Sequence, residues 1–127
     1  MKIVLASKSG VRKEILDKHG VQSIVSPSNV DEDQVKEALL EKGADPEIIS
    51  KNLAELKSVK VSAKYPDQLV LGADSVISLD LKLINKPNSR DEAYQILKLL
   101  NGKKHDLISS VCISKNGSMI WNYTDKS

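Results

Sequence analysis

Apolar positions along the first half of the chain follow two spacings, one typical of buried strands and one typical of helices. Three short strands are predicted. The segments "KIVLAS" (2–7) and "QLVLGAD" (68–74) are apolar runs without alternation, as in strands that are buried on both faces, and "VQSIVSPS" (21–28) is a further short strand that ends at Pro27. Apolar residues three and four positions apart predict three helices: 9–19, 31–43 and 45–65. Glycine follows the first helix and closes the second, and Pro66 follows the third.

The second half of the chain predicts a hairpin, a helix and a second hairpin. The segment 75–87 alternates apolar and polar residues around a turn near Asp80. A helix over 89–102 begins at a capping box of Ser89 and Glu92 and ends at Gly102. The strands 105–114 and 118–123 are joined by the turn signal "KNG". The order β-α-β-α-α-β-β-β-α-β-β predicts an α/β fold with a mixed sheet, in one domain over residues 1–127.

Composition excludes several classes of function. The net charge is +2, from 19 basic and 17 acidic residues, and aromatic residues make up 3%. Nucleic-acid binding is therefore not expected, since it needs a basic face or aromatic stacking platforms. The sequence lacks the run of about 18 apolar residues that a membrane span requires, so no membrane partner is expected. Cys112 is the only cysteine, which favours a reducing, cytoplasmic location.

Two cations stand in the first turn of the opening helix, where the helix dipole makes them unfavourable. Arg12 and Lys13 follow Ser9, which is placed to cap the helix. A helix N-terminus after a strand offers free N–H groups to a phosphate, and the hydroxyls of Ser7 and Ser9 would add donors to the two cations. The alternative is that both cations face water. The glycine-rich patterns of the two commonest phosphate loops are absent from the sequence.

Acidic residues offer candidates for catalysis or for a metal. Asp74 directly follows the strand "QLVLG", at the edge where open α/β sheets bind ligands, and could hold a divalent metal or accept a proton. A turn or helix cap is its structural alternative. Residues 31–33 cluster three carboxylates that could bind metal or simply begin a helix. Lys57 has no local feature that separates it from solvated lysines, and Lys86 could neutralise phosphate or face water.

Three segments resemble the Maf family of septum-formation-inhibitor proteins, which act as nucleoside triphosphate pyrophosphatases. The segment "LASKSGVRKEIL" is similar to the family's opening LASxSPRRxELL. The segment "VLGADSVISLDLKLINKP" is similar to GADTVVxxxGxxxGKP, and "EAYQILKLLNGKKHDLISSVCI" to AxxMLxxLSGxxHxVxTGV. The order and spacing of the three agree across nearly the whole chain.

The resemblance implies a Maf/Ham1-like fold, with an elongated mixed sheet, flanking helices and a cleft between two lobes. It implies metal-dependent hydrolysis of a nucleoside triphosphate to the monophosphate and pyrophosphate, with Mg²⁺ or Mn²⁺, and a homodimer as a candidate assembly. Asp74 matches the family's catalytic proton acceptor. Ser9, Arg12, Lys57 and Lys86 match family positions that are expected to bind substrate, and Lys13 continues the basic cluster beside Arg12. Glu32 matches the acidic residue of the family's DE pair, and with Asp74 it is expected to hold the metal.

The sequence also departs from the family pattern. Gly10 and Val11 replace the proline and first arginine of SPRR, and Asn85 replaces the glycine of GKP, whereas Ser75 keeps a hydroxyl after GAD. The family's C-terminal segment, with a GYxxQG motif, has no counterpart in residues 1–127. A nucleotide-binding regulator of cell division without turnover is therefore the alternative function.

Overall fold

The computed structural model describes residues 3–7, 10–79, 82–84, 89–100 and 105–127. These residues form an α/β fold of four helices and six strands. In chain order they are β1 Ile3–Leu5, α1 Gly10–Lys18, β2 Ser23–Val25, α2 Glu32–Glu41, α3 Pro46–Ser62, β3 Val70–Leu79, β4 Lys82–Ile84, α4 Arg90–Leu100, β5 Asp106–Lys115 and β6 Ser118–Lys126. None of the described helices is long and apolar enough to cross a membrane.

The strands form one mixed sheet, in the order β2-β1-β3-β5-β6, with β4 paired to β3. The strands β2, β1 and β3 are parallel, whereas β4, β5 and β6 join through antiparallel pairs. The predicted mixed sheet is therefore confirmed. Between β5 and β6 a bulge follows Ile113, and Trp121 and Tyr123 stack on β6 with ring centroids 6.3 Å apart.

Helix ends agree with the local signals in the sequence. Asp45 caps α3 by accepting a hydrogen bond of 2.9 Å from the Ile48 amide, and Pro46 occupies the first helical position. Ser89 caps α4 through the Glu92 amide at 3.1 Å. Gly20 and Gly43 adopt φ values of +73° and +80° just after α1 and α2, where a side chain would be strained.

One predicted boundary is wrong. The sequence predicts that a strand stops at Asp74 and that a separate hairpin follows, but β3 runs unbroken from Val70 to Leu79, with Asp74 at its centre. The described residues therefore form six strands, where the sequence predicts seven. An acidic residue inside a buried strand is costly unless it is paired, and its partner lies elsewhere in the sequence. The predicted turn at Asp80 and the predicted helix stop at Gly102 lie outside the described residues.

The core lies mainly between the sheet and α3. Even-numbered residues of β3 and β5 point toward α3, and the alternation of buried and half-buried positions follows the strand period of two. The apolar side chains of this core include Ile49, Leu53, Val76, Ile108 and Cys112, all buried. The other face of the sheet meets α1 and is more open, since Leu107 and Trp121 are 46% and 50% exposed.

Candidate active site

The carboxyl end of β1 is the point where the strand order of the sheet reverses. From β1 the chain passes through α1 to β2 on one side, and from β2 it returns through α2 and α3 to β3 on the other. Open α/β sheets bind their ligands outside the carboxyl ends of the strands at such a switch point. Ser7, two residues beyond the end of β1, is buried there.

One edge of β3 changes its partner at this point. The strand β5 pairs with β3 from Val70 to Ser78, so β1 and β4 must share the opposite edge. The last β1 pair is at Leu71 and the first β4 pair is at Ile77. Between these pairs, no described strand covers the edge of β3. Because Leu71 O accepts from the Ala6 amide, the next carbonyl of that edge is Ala73 O.

Lys57 of α3 reaches this uncovered edge. Its Nζ donates to Ala73 O at 3.4 Å and forms an ion pair with Asp74 Oδ1 at 3.2 Å. The same ammonium also pairs with Glu32 Oε1, from the first residue of α2. Asp74 is 1% exposed and Lys57 is 7% exposed. We name these three side chains, Glu32, Lys57 and Asp74, the acid–lysine cluster.

Close packing of α3 on β3 brings Lys57 within reach. A Cβ atom at Gly72 would contact Ala54 O and lie 2.8 Å from both Cβ and N of Ser58, so only glycine permits this approach. Ser50 Oγ donates to Asp74 O at 3.1 Å, which ties the start of α3 to the strand at the site. The helix therefore fixes both the side chain and the backbone of Asp74.

Sequence reasoning missed the role of the serines on α3. Small, fully buried residues recur at every fourth position along its sheet-facing side: Ser50, Ala54, Ser58 and Ser62. Ser58 and Ser114 exchange a hydrogen bond of 2.7 Å between their hydroxyls, and Ser62 Oγ accepts from the Gly117 amide at 2.9 Å. The period of four in small residues is a readable signal of close helix packing. The sequence does not show what faces it.

A cavity of about 250 Å³ opens between α1 and the sheet beside this cluster. Arg12 and Asp74 both line it, with the hydroxyls of Ser75 and Ser109, which lie 3.0 Å apart. Ile15 and Leu16 of α1 supply apolar wall. Arg12 Nη1 donates to Ser7 Oγ at 2.9 Å, so the first turn of α1 presents a guanidinium at the end of β1. The surface of this cavity is mostly apolar, and Arg12 and Asp74 are among the residues that border it.

The remaining predicted site residues have different outcomes. Lys13 pairs with Asp17 at 3.0 Å and donates to Ser23 O at 3.1 Å, so it is engaged with its own helix and with β2 and does not line the cavity. Its role in binding phosphate stays a prediction. Ser9 and Lys86 lie outside the described residues, and their predicted roles also stay predictions.

The chemistry of the cluster fits a divalent cation. Mg²⁺ and Mn²⁺ prefer oxygen ligands, and Mg²⁺ is commonly held by one or two protein carboxylates together with substrate phosphates. Glu32 and Asp74 provide two carboxylates directed at one point. Within the described residues no group of three or more potential metal-ligating His, Cys, Asp or Glu side chains occurs. The cluster therefore suits a metal that arrives with phosphate oxygens.

Known proteins of two kinds are similar to the chain. It is 66% identical over 124 residues to a "Nucleoside triphosphate pyrophosphatase" of Pelagibacter ubique. This alignment covers 98% of the chain and 64% of that relative. It is 36% identical over 123 residues to a "7-methyl-GTP pyrophosphatase" of Brucella abortus, covering 97% of the chain and 62% of that relative. The chain thus spans less than two thirds of the length of these relatives.

Solved structures support the fold at low sequence identity. A HAM1 protein from Coxiella burnetii matches with a TM-score of 0.59 at 14% identity, over 99% of the chain and 69% of that structure. A dITP/XTP pyrophosphatase from Mycobacterium abscessus matches with a TM-score of 0.56 at 15% identity, over 99% of the chain and 71% of that structure. The Ham1-like fold expected from the sequence is therefore confirmed. Because the model of the family described as "Maf-like protein" also matches residues 2–127, the chain belongs to the Maf family.

Proposed function

We propose that this protein hydrolyses a nucleoside triphosphate to the nucleoside monophosphate and pyrophosphate, with a divalent cation. One observation carries the proposal: Lys57 and Asp74 are buried at the switch point of the sheet, Glu32 joins them from α2, and Asp74 and Arg12 border the same cavity. A buried carboxylate next to a fixed ammonium and a guanidinium is suited to phosphate chemistry. The names of the relatives at 66% and 36% identity agree with this activity.

The cations would bind and orient the triphosphate. Arg12 offers a planar fork of N–H donors that can engage two phosphate oxygens at once, and its bond to Ser7 fixes its direction. Lys57 adds an ammonium from the opposite side, on α3. Lys86 and Ser9 are proposed to complete the phosphate contacts. Together these groups would offset the charge of the phosphates, which is the main requirement of phosphoryl transfer.

Asp74 is the proposed catalytic residue. Its carboxylate would orient a water molecule and accept its proton while the water oxygen bonds to the α-phosphorus. The bond from that phosphorus to the oxygen bridging the α- and β-phosphates then breaks, and pyrophosphate leaves with the bridging oxygen. A divalent cation bound by Glu32 and Asp74 would supply charge neutralisation at the phosphate oxygens. The rigid backbone contact of Ser50 at Asp74 keeps this acid in place.

The test is pyrophosphate release from dTTP, UTP, CTP, ITP and 7-methyl-GTP with Mg²⁺ or Mn²⁺. We expect one of these nucleotides to be hydrolysed, with release reduced by a factor of about 10² or more in Asp74→Asn. A matched control is Asp67→Asn, an exposed acid on the turn before β3, which should keep full activity. Folded wild-type protein that releases no pyrophosphate from any of the five would refute the proposal.

A second candidate is a nucleotide-binding regulator of cell division without turnover. It is favoured by Val11, which stands where the family motif has its first arginine and so removes one phosphate-binding cation. Equilibrium binding of the same nucleotides, with no release, would be the result that selects it. The proposed cytoplasmic location and a homodimeric assembly are compatible with either candidate.

A further inference from the structure

Three oxygen atoms converge on one ammonium in the acid–lysine cluster. Glu32 Oε1 and Asp74 Oδ1 are its ion-pair partners, and Ala73 O is its third contact at 3.4 Å. The side chains of Lys57 and Asp74 are only 9% and 2% exposed, whereas that of Glu32 is 30% exposed. Carboxylate and carbonyl oxygens are also the ligands that hard divalent cations select. Lys57 therefore occupies the position to which two proposed metal ligands point.

The ammonium and a divalent cation exclude each other at this position. The buried carboxylate of Asp74 and the half-buried carboxylate of Glu32 are stabilised by a neighbouring cation, because an uncompensated charge is unfavourable away from water. Lys57 provides this cation in the structure. A divalent cation on the same oxygens would repel the ammonium, and the repulsion is strong where water does not screen it. Binding of the cation thus requires that Lys57 move.

A lysine side chain can make this exchange. Its ammonium ends a flexible four-carbon stem, so it can move by rotation while α3 stays packed on the sheet. The ammonium needs a new anionic partner when it leaves the carboxylates. Triphosphate oxygens would provide this partner, and they arrive at the same place as the metal.

We propose that Lys57 is an exchangeable internal cation, which holds Glu32 and Asp74 in the free protein and releases them to a divalent metal only when a triphosphate binds. This inference rests on the proposed function, because the coupling of metal binding to nucleotide requires that the protein bind a triphosphate. It makes metal binding conditional on nucleotide, and by linkage each ligand raises the affinity for the other. The device would keep the metal site of the free protein closed.

The experiment measures Mn²⁺ binding by electron paramagnetic resonance, using the full chain without nucleotide. Lys57→Met removes the internal cation while keeping an unbranched apolar stem. We expect it to bind Mn²⁺ at least about tenfold more tightly than the wild type. Lys51→Met is the matched control, because Lys51 lies on the same helix and is exposed. It should bind Mn²⁺ as weakly as the wild type.

Two further measurements locate the bound metal and test the coupling between metal binding and nucleotide binding. In the double variant Lys57→Met/Glu32→Gln the gained affinity should be lost, since one of the two acids is then neutral. With a non-hydrolysable α,β-imido triphosphate, and a protein-free blank containing the same nucleotide, the wild type should gain about tenfold in Mn²⁺ affinity. Lys57→Met should gain much less, because its site is already open.

The outcomes separate this inference from the proposed function. If Lys57→Met binds Mn²⁺ no better than Lys51→Met, or if its gain survives Glu32→Gln, the exchange is refuted even if the wild type releases pyrophosphate. If the gain is observed but the wild type releases no pyrophosphate, the proposed function fails and the exchange stands. Should Lys57→Met unfold without metal, refolding in Mn²⁺ concentrations that leave Lys51→Met unchanged supports the exchange. Failure to refold counts against it.

Discussion

The substitution Gly72→Ala tests whether direct backbone packing of α3 on β3 builds the site. A Cβ atom at this position would lie 2.8 Å from Cβ and N of Ser58 and would also contact Ala54 O. Ordinary contacts between carbon atoms are about 3.5–4.0 Å, so the helix must move away by roughly 1 Å. Two of the three atoms are backbone, and rotation of a side chain cannot relieve the overlap.

The cost follows from the bonds that this shift breaks. Overpacking of a dense core destabilises by about 1–3 kcal/mol. The hydroxyl bond between Ser58 and Ser114 stretches from 2.7 Å, and its loss adds about 1 kcal/mol. We therefore expect the free energy of unfolding to fall by about 3 kcal/mol, which for a chain of this length lowers Tm by roughly 10 °C. The bond of Ser50 to Asp74 O should lengthen as well, so pyrophosphate release should fall even at temperatures where the variant is folded.

Urea unfolding followed by circular dichroism measures this change. The control is Gly10→Ala, because a Cβ at Gly10 would meet no atom within 4 Å, and the residue lies in α1. Alanine is a better helix former than glycine, so this control should be neutral or slightly stabilising. If Gly72→Ala unfolds within about 0.5 kcal/mol of the wild type, close packing at Gly72 does not carry the geometry described above.

The other predictions concern buried groups and a helix cap. Burial raises the pKa of the Cys112 thiol from 9.0 to about 11, and the negative charge of Glu55 adds to the increase. The folded chain then keeps a proton that the unfolded chain loses between pH 9 and 11, so the free energy of unfolding should fall over this range by roughly 2–3 kcal/mol, and less in Cys112→Ala. In a double-mutant cycle, Ser58→Ala and Ser114→Ala should each cost about 1–2 kcal/mol and show a coupling above about 0.5 kcal/mol; additive costs would contradict the hydroxyl pair. Asp45→Ala removes the cap of α3 and should cost about 0.5–2 kcal/mol in urea unfolding, whereas Asp45→Asn should keep most of it.

Local chemistry explains which parts of the fold are predictable from the sequence. The caps at Asp45 and Ser89 and the glycine after α2 depend on residues within one turn of the chain, so the sequence contains everything that decides them. The alternating burial of β5 is equally local, because the strand period fixes which side chains share a face. These elements were expected at nearly their observed positions.

The strand break predicted at Asp74 is wrong because its partners are distant in the sequence. The carboxylate is stabilised inside β3 by Lys57, 17 residues earlier, and by its place beside an uncovered strand edge. Neither fact can be read from the residues next to Asp74. The same distance explains why Lys57 has no local feature that separates it from solvated lysines such as Lys51.

The cations in the first turn of α1 lie where the helix dipole makes positive charge unfavourable, and the topology of the sheet explains the position of one of them. From the sequence, Arg12 and Lys13 are either phosphate-binding cations or cations that face water, and in the structure their contacts differ. Lys13 pairs with Asp17 one turn later, which is the ordinary use of a helical lysine. Arg12 instead turns toward Ser7 and the cavity that Asp74 lines. Arg12 is therefore the cation of the first turn of α1 that lies at the switch point of the sheet. There Lys57 reaches the same region from α3, so under the proposed function Arg12 and Lys57 would contact a phosphate ligand from the two helical layers of the fold.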